Sequence, residues 1–221
     1  MKKTRPIQKR KYGGIQANLR TQERRKKLIR AGLEAFGTRG YTKTSILSIC
    51  RLAGLTERYF YESFKNKEEL LCTVYRKLID EQKNSAMSVI KNFEIPPEKE
   101  TYHALRMFYQ LFKDDPRRTR VQLFEVLGVS KKVDREYQTA MRTLAEMMKL
   151  FLCKAFPDNS KQLNNTIVAT GLAGAIIQIA HEWALDDFVT PIDEIITSTM
   201  GIFNTIGKHL RVKAVQTKTG K

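Results

Sequence analysis

Two features of this sequence suit chemistry on a polyanion. The first 67 residues hold 18 Lys or Arg against four acids (Glu23, Glu34, Glu57, Glu62), a local charge of +14 in a chain of 221 residues whose total is +17. The other 154 residues, with 22 basic and 19 acidic side chains, are close to neutral, so the charge belongs to one end of the chain and is not a general surface property. Hydroxyl residues also stand where two short helices are expected to start, at Thr44-Ser45 and at Thr56. The first backbone N–H groups of a helix lack partners within it and can meet a phosphate.

Other chemistries find little support. His103, His181 and His209 are isolated, and there is no HExxH, P-loop, GxGxxG or G-x-S-x-G pattern, so an enzyme is a distant reading. His181-Glu182 has no further residue at ligand spacing, and neither metal nor cofactor is expected. Cys50, Cys72 and Cys153 are odd in number, far apart and in apolar helical contexts, which fits buried thiols in a reducing cytoplasm. The basic start runs into Tyr12-Gly13-Gly14, not the apolar stretch of a secretory signal. The uncharged run from Leu163 to Ala180 contains Asn164, Asn165, Thr166, Thr170 and Gln178, and is read as a buried helix instead of a membrane span.

The elements that must position these groups read as helices throughout. Residues 1–20 lack apolar periodicity and carry seven cations around Gly13-Gly14, the composition of a flexible basic arm. A helix is expected from Thr21, with Ile29, Leu33 and Phe36 at i, i+4 and i+7. Its opening run Arg24-Arg25-Lys26-Lys27 is either a solvated face or a phosphate contact. Ile46, Ile49, Cys50 and Ala53 form the buried side of a short helix that Gly54 ends. Thr56 begins another, through Glu57, Arg58, Tyr59, Phe60 and Tyr61, and Asn66 with Glu69 opens a long helix whose buried stripe is Leu71, Val74, Tyr75 and Leu78.

Two short helices joined by Ala53-Gly54-Leu55 are the sequence form of a helix-turn-helix, whose second helix is sized for a major groove. Helix hairpins are common, and it is the coincidence with the local charge and the hydroxyl-led helix starts that points to DNA. On such a helix Arg58 can read guanine through O6 and N7, a contact worth about 1 to 3 kcal/mol in discrimination.

From Ala31 to Leu71, the residues Phe36, Gly40-Tyr41, Thr44-Ser45, Ile49-Cys50, Ala53-Gly54-Leu55-Thr56, Phe60-Tyr61, Ser63-Phe64 and Lys67-Glu68-Glu69-Leu70-Leu71 resemble the DNA-binding region of TetR/AcrR-type regulators. The resemblance implies that Thr44 and Thr56 bind phosphate at helix starts, with Ser45 and Ser63 beside them, that Tyr61 and Lys67 clamp backbone phosphates, and that Glu57, Arg58 and Tyr59 face bases. Simpler roles compete: Thr44 and Thr56 as caps, Tyr61 as a packing aromatic. Tyr59 stands where a small Thr is frequent, and Glu62-Ser63 where a His or Tyr is common. Glu57 and Glu62 would repel phosphate unless they face a cytosine amino group or pair with Arg51 or Arg58. The basic arm either enters a minor groove or acts as an electrostatic tether.

The second half continues helical, with Tyr102, Leu105, Phe108, Tyr109 and Phe112 on one stripe, Asp115-Pro116 as cap and first-turn proline, and helices over Ser130–Phe156, Leu163–Leu185 and Ile192–Leu210. One recognition helix covers too little DNA for operator affinity, so two must be joined. The last two helices are the expected homodimer interface, through Gly171, Gly174, Ala175, Ile195, Thr199, Ile202 and Ile206, with a monomer core as the competing reading. The resemblance implies an apolar effector site in the middle helices, for which Phe108, Phe112, His181 and Trp183 are candidates.

The expected molecule is therefore all-α with about nine helices: a basic arm (1–20), a helix-turn-helix domain (21–67), a helical effector and dimerisation domain (68–210) and a disordered tail (211–221). Its expected role is that of a cytoplasmic, ligand-responsive repressor. It would bind double-stranded operator DNA as a homodimer, answer to a small hydrophobic effector, and involve no membrane. The rival is a protein that compacts nucleic acid without sequence preference.

Overall fold

The structure, a computed structural model, describes residues 10–90, 97–155 and 166–219, with side chains over 18–88, 99–154 and 166–206. Among the described residues there are nine α-helices, one π turn and no strand. The helices are α1 (Arg10–Arg39), α2 (Ile46–Ala53), α3 (Glu57–Ser63), α4 (Lys67–Ile90), α5 (Pro97–Asp114), α6 (Pro116–Arg120), α7 (Lys131–Ala155), α8 (Thr166–Leu185) and α9 (Ile192–Thr219), with the π turn at Val121–Glu125. The chain divides into two compact units, Met1–Val74 and Tyr75–Lys221.

In the first unit α1 contributes Leu28, Ala31, Ala35 and Phe36 to the core, α2 Ile49 and Cys50, α3 Phe60, and α4 Leu70, Leu71 and Val74. The buried face of α1 is thus centred on Leu28 and Ala35, and the expected stripe members Ile29 and Leu33 are only half-buried at its edge. Gly32 permits this approach, because a Cβ there would lie 3.0 Å from Leu70 Cδ2. Gly54 ends α2 at φ 64, with its N–H directed to Arg51 and Cys50 carbonyls, and glycine takes that left-handed conformation without the Cβ penalty. The next helix starts as the sequence implies: Asn66 Oδ1 accepts from the Glu69 N–H at 2.8 Å, although Glu69 reaches back to the Lys65 N–H and not to that of Asn66.

In the second unit α7 packs along α8 and α5 along α9. The core is built from Leu105, Tyr109 and Phe112 of α5, Leu144 and Leu152 of α7, Leu172 and Ile176 of α8, and Ile196 and Phe203 of α9. Asp115 caps α6 through the Arg117 N–H, with Pro116 in the first turn, and Ser130 Oγ accepts from the Val133 N–H at the start of α7. By length and composition α8 could cross a bilayer, but Ala169, Leu172, Ala173, Ile176, Ala180 and Trp183 along it are buried in the core of this unit.

Two expectations are corrected at the ends. The first helix begins at Arg10, not Thr21: Gly13 and Gly14 each cost only about 1 kcal/mol in a helix, and the residues after them continue it. The remainder of the expected arm, residues 1–9, lies outside the described residues. At the other end α9 runs to Thr219 through the stretch expected to be a disordered tail, which contains neither glycine nor proline before Gly220.

Candidate nucleic-acid interface and effector cavity

The seven residues of α3 turn one face inward and one outward. Phe60 is fully buried, whereas Glu57, Arg58, Tyr61 and Glu62, at i, i+1, i+4 and i+5, are exposed together. Thr56, the N-cap, has extended backbone and an exposed hydroxyl that makes no cap hydrogen bond. Arg58 leaves 85% of its side chain in solvent, and Tyr61 is 57% exposed with its ring edge-on to Phe60 at 5.5 Å.

Tyr59 is not on that face. It is half-buried, with the Arg24 guanidinium 4.1 Å above its ring. The expectation that Tyr59 faces bases is corrected by the helical period: three consecutive residues cannot share one face, and Tyr61 takes the place beside Arg58. Glu62 lies between two guanidiniums, 3.2 Å from Arg24 Nη1 and 3.3 Å from Arg58 Nε. Of the escapes considered for Glu62, pairing with Arg58 is the one observed.

The basic run at the front of α1 is partly structural. Arg25 donates to the Ser63 carbonyl and places its guanidinium 4.2 Å from the Phe64 ring, while Ser63 itself is half-buried. Arg24 and Arg25 lie one turn before Leu28, on the side of α1 that meets α3. The sequence does not mark them as packing cations, because the stripe expected on α1 passes through Ile29 and Leu33 and not through Leu28. Lys26 pairs with Glu23 at 2.9 Å, and Lys27 is exposed.

One expected phosphate contact, Thr44, is corrected, and a second, Lys67, is engaged within the fold. Thr44 is 2% exposed, and its hydroxyl donates to the Gly40 carbonyl at 2.7 Å and to the Ala35 carbonyl at 3.2 Å. It ties the α1–α2 turn together, and the exposed cap of α2 is Ser45, which exchanges hydrogen bonds with Ser48 as a capping box. Lys67 directs Nζ to the carbonyls of Tyr41 (2.8 Å) and Thr44 (2.7 Å), 4.2 Å from the Tyr41 ring. Two of its three donors are thus occupied inside the fold, and burial holds its pKa below the usual lysine value. Lys67 clamps the turn that precedes α2. Burial also pushes the Tyr41 phenol and the Cys50 thiol up.

The second unit contains a cavity of about 40 Å³, room for a few waters. Phe108 and Phe112 line it with Ile79, Met141, Leu144 and Met147. A second cavity of about 20 Å³ shares Phe108, Leu144 and Met147 as walls. Two polar residues the sequence did not single out, Gln82 and Gln122, also line the larger one. Gln122 is carried there by the π turn, in which Val121, Gln122 and Leu123 are buried in succession.

His181 and Trp183 lie elsewhere, a correction to the expected lining. Trp183 is buried, with Nε1 donating to the Thr190 carbonyl at 2.8 Å and its ring edge-on to Tyr109 and Phe188. It closes the α8–α9 connection. His181 is half-buried against Phe124 at 4.7 Å.

The expected interface residues divide by exposure. Gly171 and Ile202 are exposed, Gly174 and Ala175 half-buried, and a Cβ at Gly171 or Gly174 would meet nothing within 4 Å among the described residues. Ile195 and Ile206 pack against the unit's own core. Thr199, 1% exposed, lies 3.0 Å from the Tyr109 hydroxyl and so belongs to that core, which corrects its assignment as an interface residue.

Residues 28–73 match the family model described as bacterial regulatory proteins, tetR family. This bears out the resemblance read from Ala31 to Leu71. The whole fold is similar to that of the fatty acid degradation regulator FadR from Bacillus halodurans, with TM-score 0.71 and 14% identity over 81% of this chain and 94% of that one. It is similar also to FadR from Bacillus subtilis, solved in complex with stearoyl-CoA, with TM-score 0.70 and 16% identity over 80% and 96%. A transcriptional regulator of the TetR/AcrR type from Aquifex aeolicus matches with TM-score 0.63 and 21% identity over 83% and 99%.

Proposed function

We propose that this chain, which carries a tetR-family regulatory module at residues 28–73, is a ligand-responsive repressor and not an enzyme: a homodimer that binds a palindromic operator in the cytoplasm and is released by a small hydrophobic effector. The observation that carries the DNA reading is the outward face of α3. Arg58 and Tyr61 stand exposed there, beside the free Thr56 hydroxyl, while Arg24 and Arg25 hold the helix from behind and Lys67 clamps the turn before α2.

In this reading Arg58 and Tyr61, with Glu57 at the helix start, reach base edges or the phosphates flanking them, and Ser45 and Thr56 meet phosphate where helix N–H groups point outward. The dimer forms through the open faces of Gly171, Gly174 and Ile202. The effector enters beside Phe108 and Phe112. That the Bacillus subtilis regulator was solved with stearoyl-CoA favours a lipid-like effector, and Met141 and Met147 in the wall provide side chains that can rearrange to admit one.

Selection of bound duplexes from a random pool tests the reading. A repressor should prefer its selected site over random duplex by about 10³-fold or more, and the double variant Arg58→Ala, Tyr61→Ala should lose that preference while remaining folded. Equal affinity for selected and random duplex would instead identify a compacting protein.

A further inference from the structure

Gln82 of α4 and Gln122 of the π turn form a hydrogen bond inside the second unit, Gln122 Nε2 donating to Gln82 Oε1 at 2.8 Å. The two residues are 7% and 4% exposed. Each has a second polar atom that is buried and has no hydrogen-bond partner among the described residues: Gln82 Nε2, a donor, and Gln122 Oε1, an acceptor. Reversing both amides exchanges the roles and leaves the same complement, one N–H group and one carbonyl. Buried amide groups are rarely left unmet, because each costs free energy comparable to a lost hydrogen bond.

Both residues line the cavity that Phe108, Phe112 and Met141 make otherwise largely apolar. We infer that Gln82 and Gln122 form a head-group clamp for a neutral effector that accepts one hydrogen bond and donates another, such as an amide, a hydroxyl or a protonated carboxyl, at the end of an apolar chain. This rests on the proposal that the cavity is the effector site, and it specifies the chemistry of that effector. A charged head is disfavoured at the glutamine pair itself, since neither amide supplies a countercharge and an ion in an apolar cavity must be paired. Lys83, exposed on the cavity wall, is the place a carboxylate would go instead.

Calorimetric titration of the full chain with octane, octanamide, N,N-dimethyloctanamide and octanoate at pH 8 tests the assignment. Octanamide should bind about tenfold or more tighter than octane, the increment of one or two net hydrogen bonds. The dimethyl amide, which has no N–H to offer, should lose about tenfold, and octanoate should bind more weakly than octanamide. Gln82→Met and Gln122→Met, checked by circular dichroism for retained helix, should reduce octanamide to the level of octane. The ligand series carries the test even where a variant does not fold.

Equal binding of octane and both amides, or tighter binding of octanoate, would overturn the head-group assignment and leave the cavity as an effector site. Binding of none of the four would remove the effector site itself, and the clamp with it.

Discussion

Arg58 is held by Glu62 on the outward face of α3, with its Nε 3.3 Å from the carboxylate, while the other oxygen of that carboxylate lies 3.2 Å from Arg24. The single cation of the proposed reading helix is therefore partly neutralised before any DNA arrives. Replacing Glu62 by Gln should tighten binding to random duplex by roughly two- to fivefold at low salt, the scale of an exposed ion pair and one removed repulsion. Arg58→Ala should cost about 1 to 3 kcal/mol on the selected site and much less on random duplex. Fluorescence anisotropy on both duplexes measures this. Weaker binding by Glu62→Gln would show that the carboxylate itself contacts a base.

Lys67 distinguishes a structural clamp from a phosphate contact. Lys67→Met should lower stability by about 1 to 3 kcal/mol in urea melts, because the carbonyls of Tyr41 and Thr44 lose a charged donor. The dependence of DNA affinity on salt should remain unaltered. Undiminished stability together with a salt slope reduced by about 0.9 would return Lys67 to the phosphate backbone.

The Tyr109 phenol, buried and hydrogen-bonded to Thr199, is pushed up to about 12 by burial, against an ordinary value near 10, and burial raises Tyr75 as well. A proton held more tightly in the folded state stabilises fully below the unfolded value and is lost as pH rises through the folded one. Stability should accordingly fall between about pH 10 and 12, by up to about 1.4 kcal/mol per pH unit for one group. Tyr109→Phe should cost about 1 kcal/mol at neutral pH and make the alkaline decline shallower. An equally steep decline in that variant would mean Tyr109 ionises without unfolding.

Gly174→Glu and Ile202→Glu place charge on the open faces of α8 and α9. A Cβ at Gly174 meets nothing within 4 Å among the described residues, so helix content should be retained while sedimentation shows monomers and operator affinity falls. Dimers persisting in both variants would move the interface elsewhere. Thr199 provides the contrast: being buried, its replacement should act on stability before it acts on assembly.

Helical character was legible wherever caps and periodicity agreed, as at Ile46–Ala53, at Asn66 with Glu69, and at Asp115-Pro116. The helix-turn-helix was legible from Gly54 and from the charge around it. What was not legible was where the cations go. Arg24, Arg25 and Lys67 look alike in sequence whether they meet phosphate or the chain's own carbonyls and rings, and only the rotation of α1 about Leu28 decides it. Thr44 and Thr199 were misplaced because a hydroxyl's partner is a tertiary fact. Gln82 and Gln122, forty residues apart, carried no local signal at all, since a π turn has no composition that distinguishes it from an α-helix.

That wider coil at Val121–Glu125 also bears on how the chain tolerates change in length. Its i→i+5 bonding takes up one residue more than the i→i+4 bonding of an ordinary helix, so dropping a single residue there would relax the backbone to standard winding while the flanking helical turns keep their register. A deletion that removed Gln122 itself would take its amide out of the interior and leave Val121 and Leu123 there. Indels in this short stretch, more than substitutions, are the simplest route by which related chains would exchange a hydrogen-bonding interior for a fully greasy one.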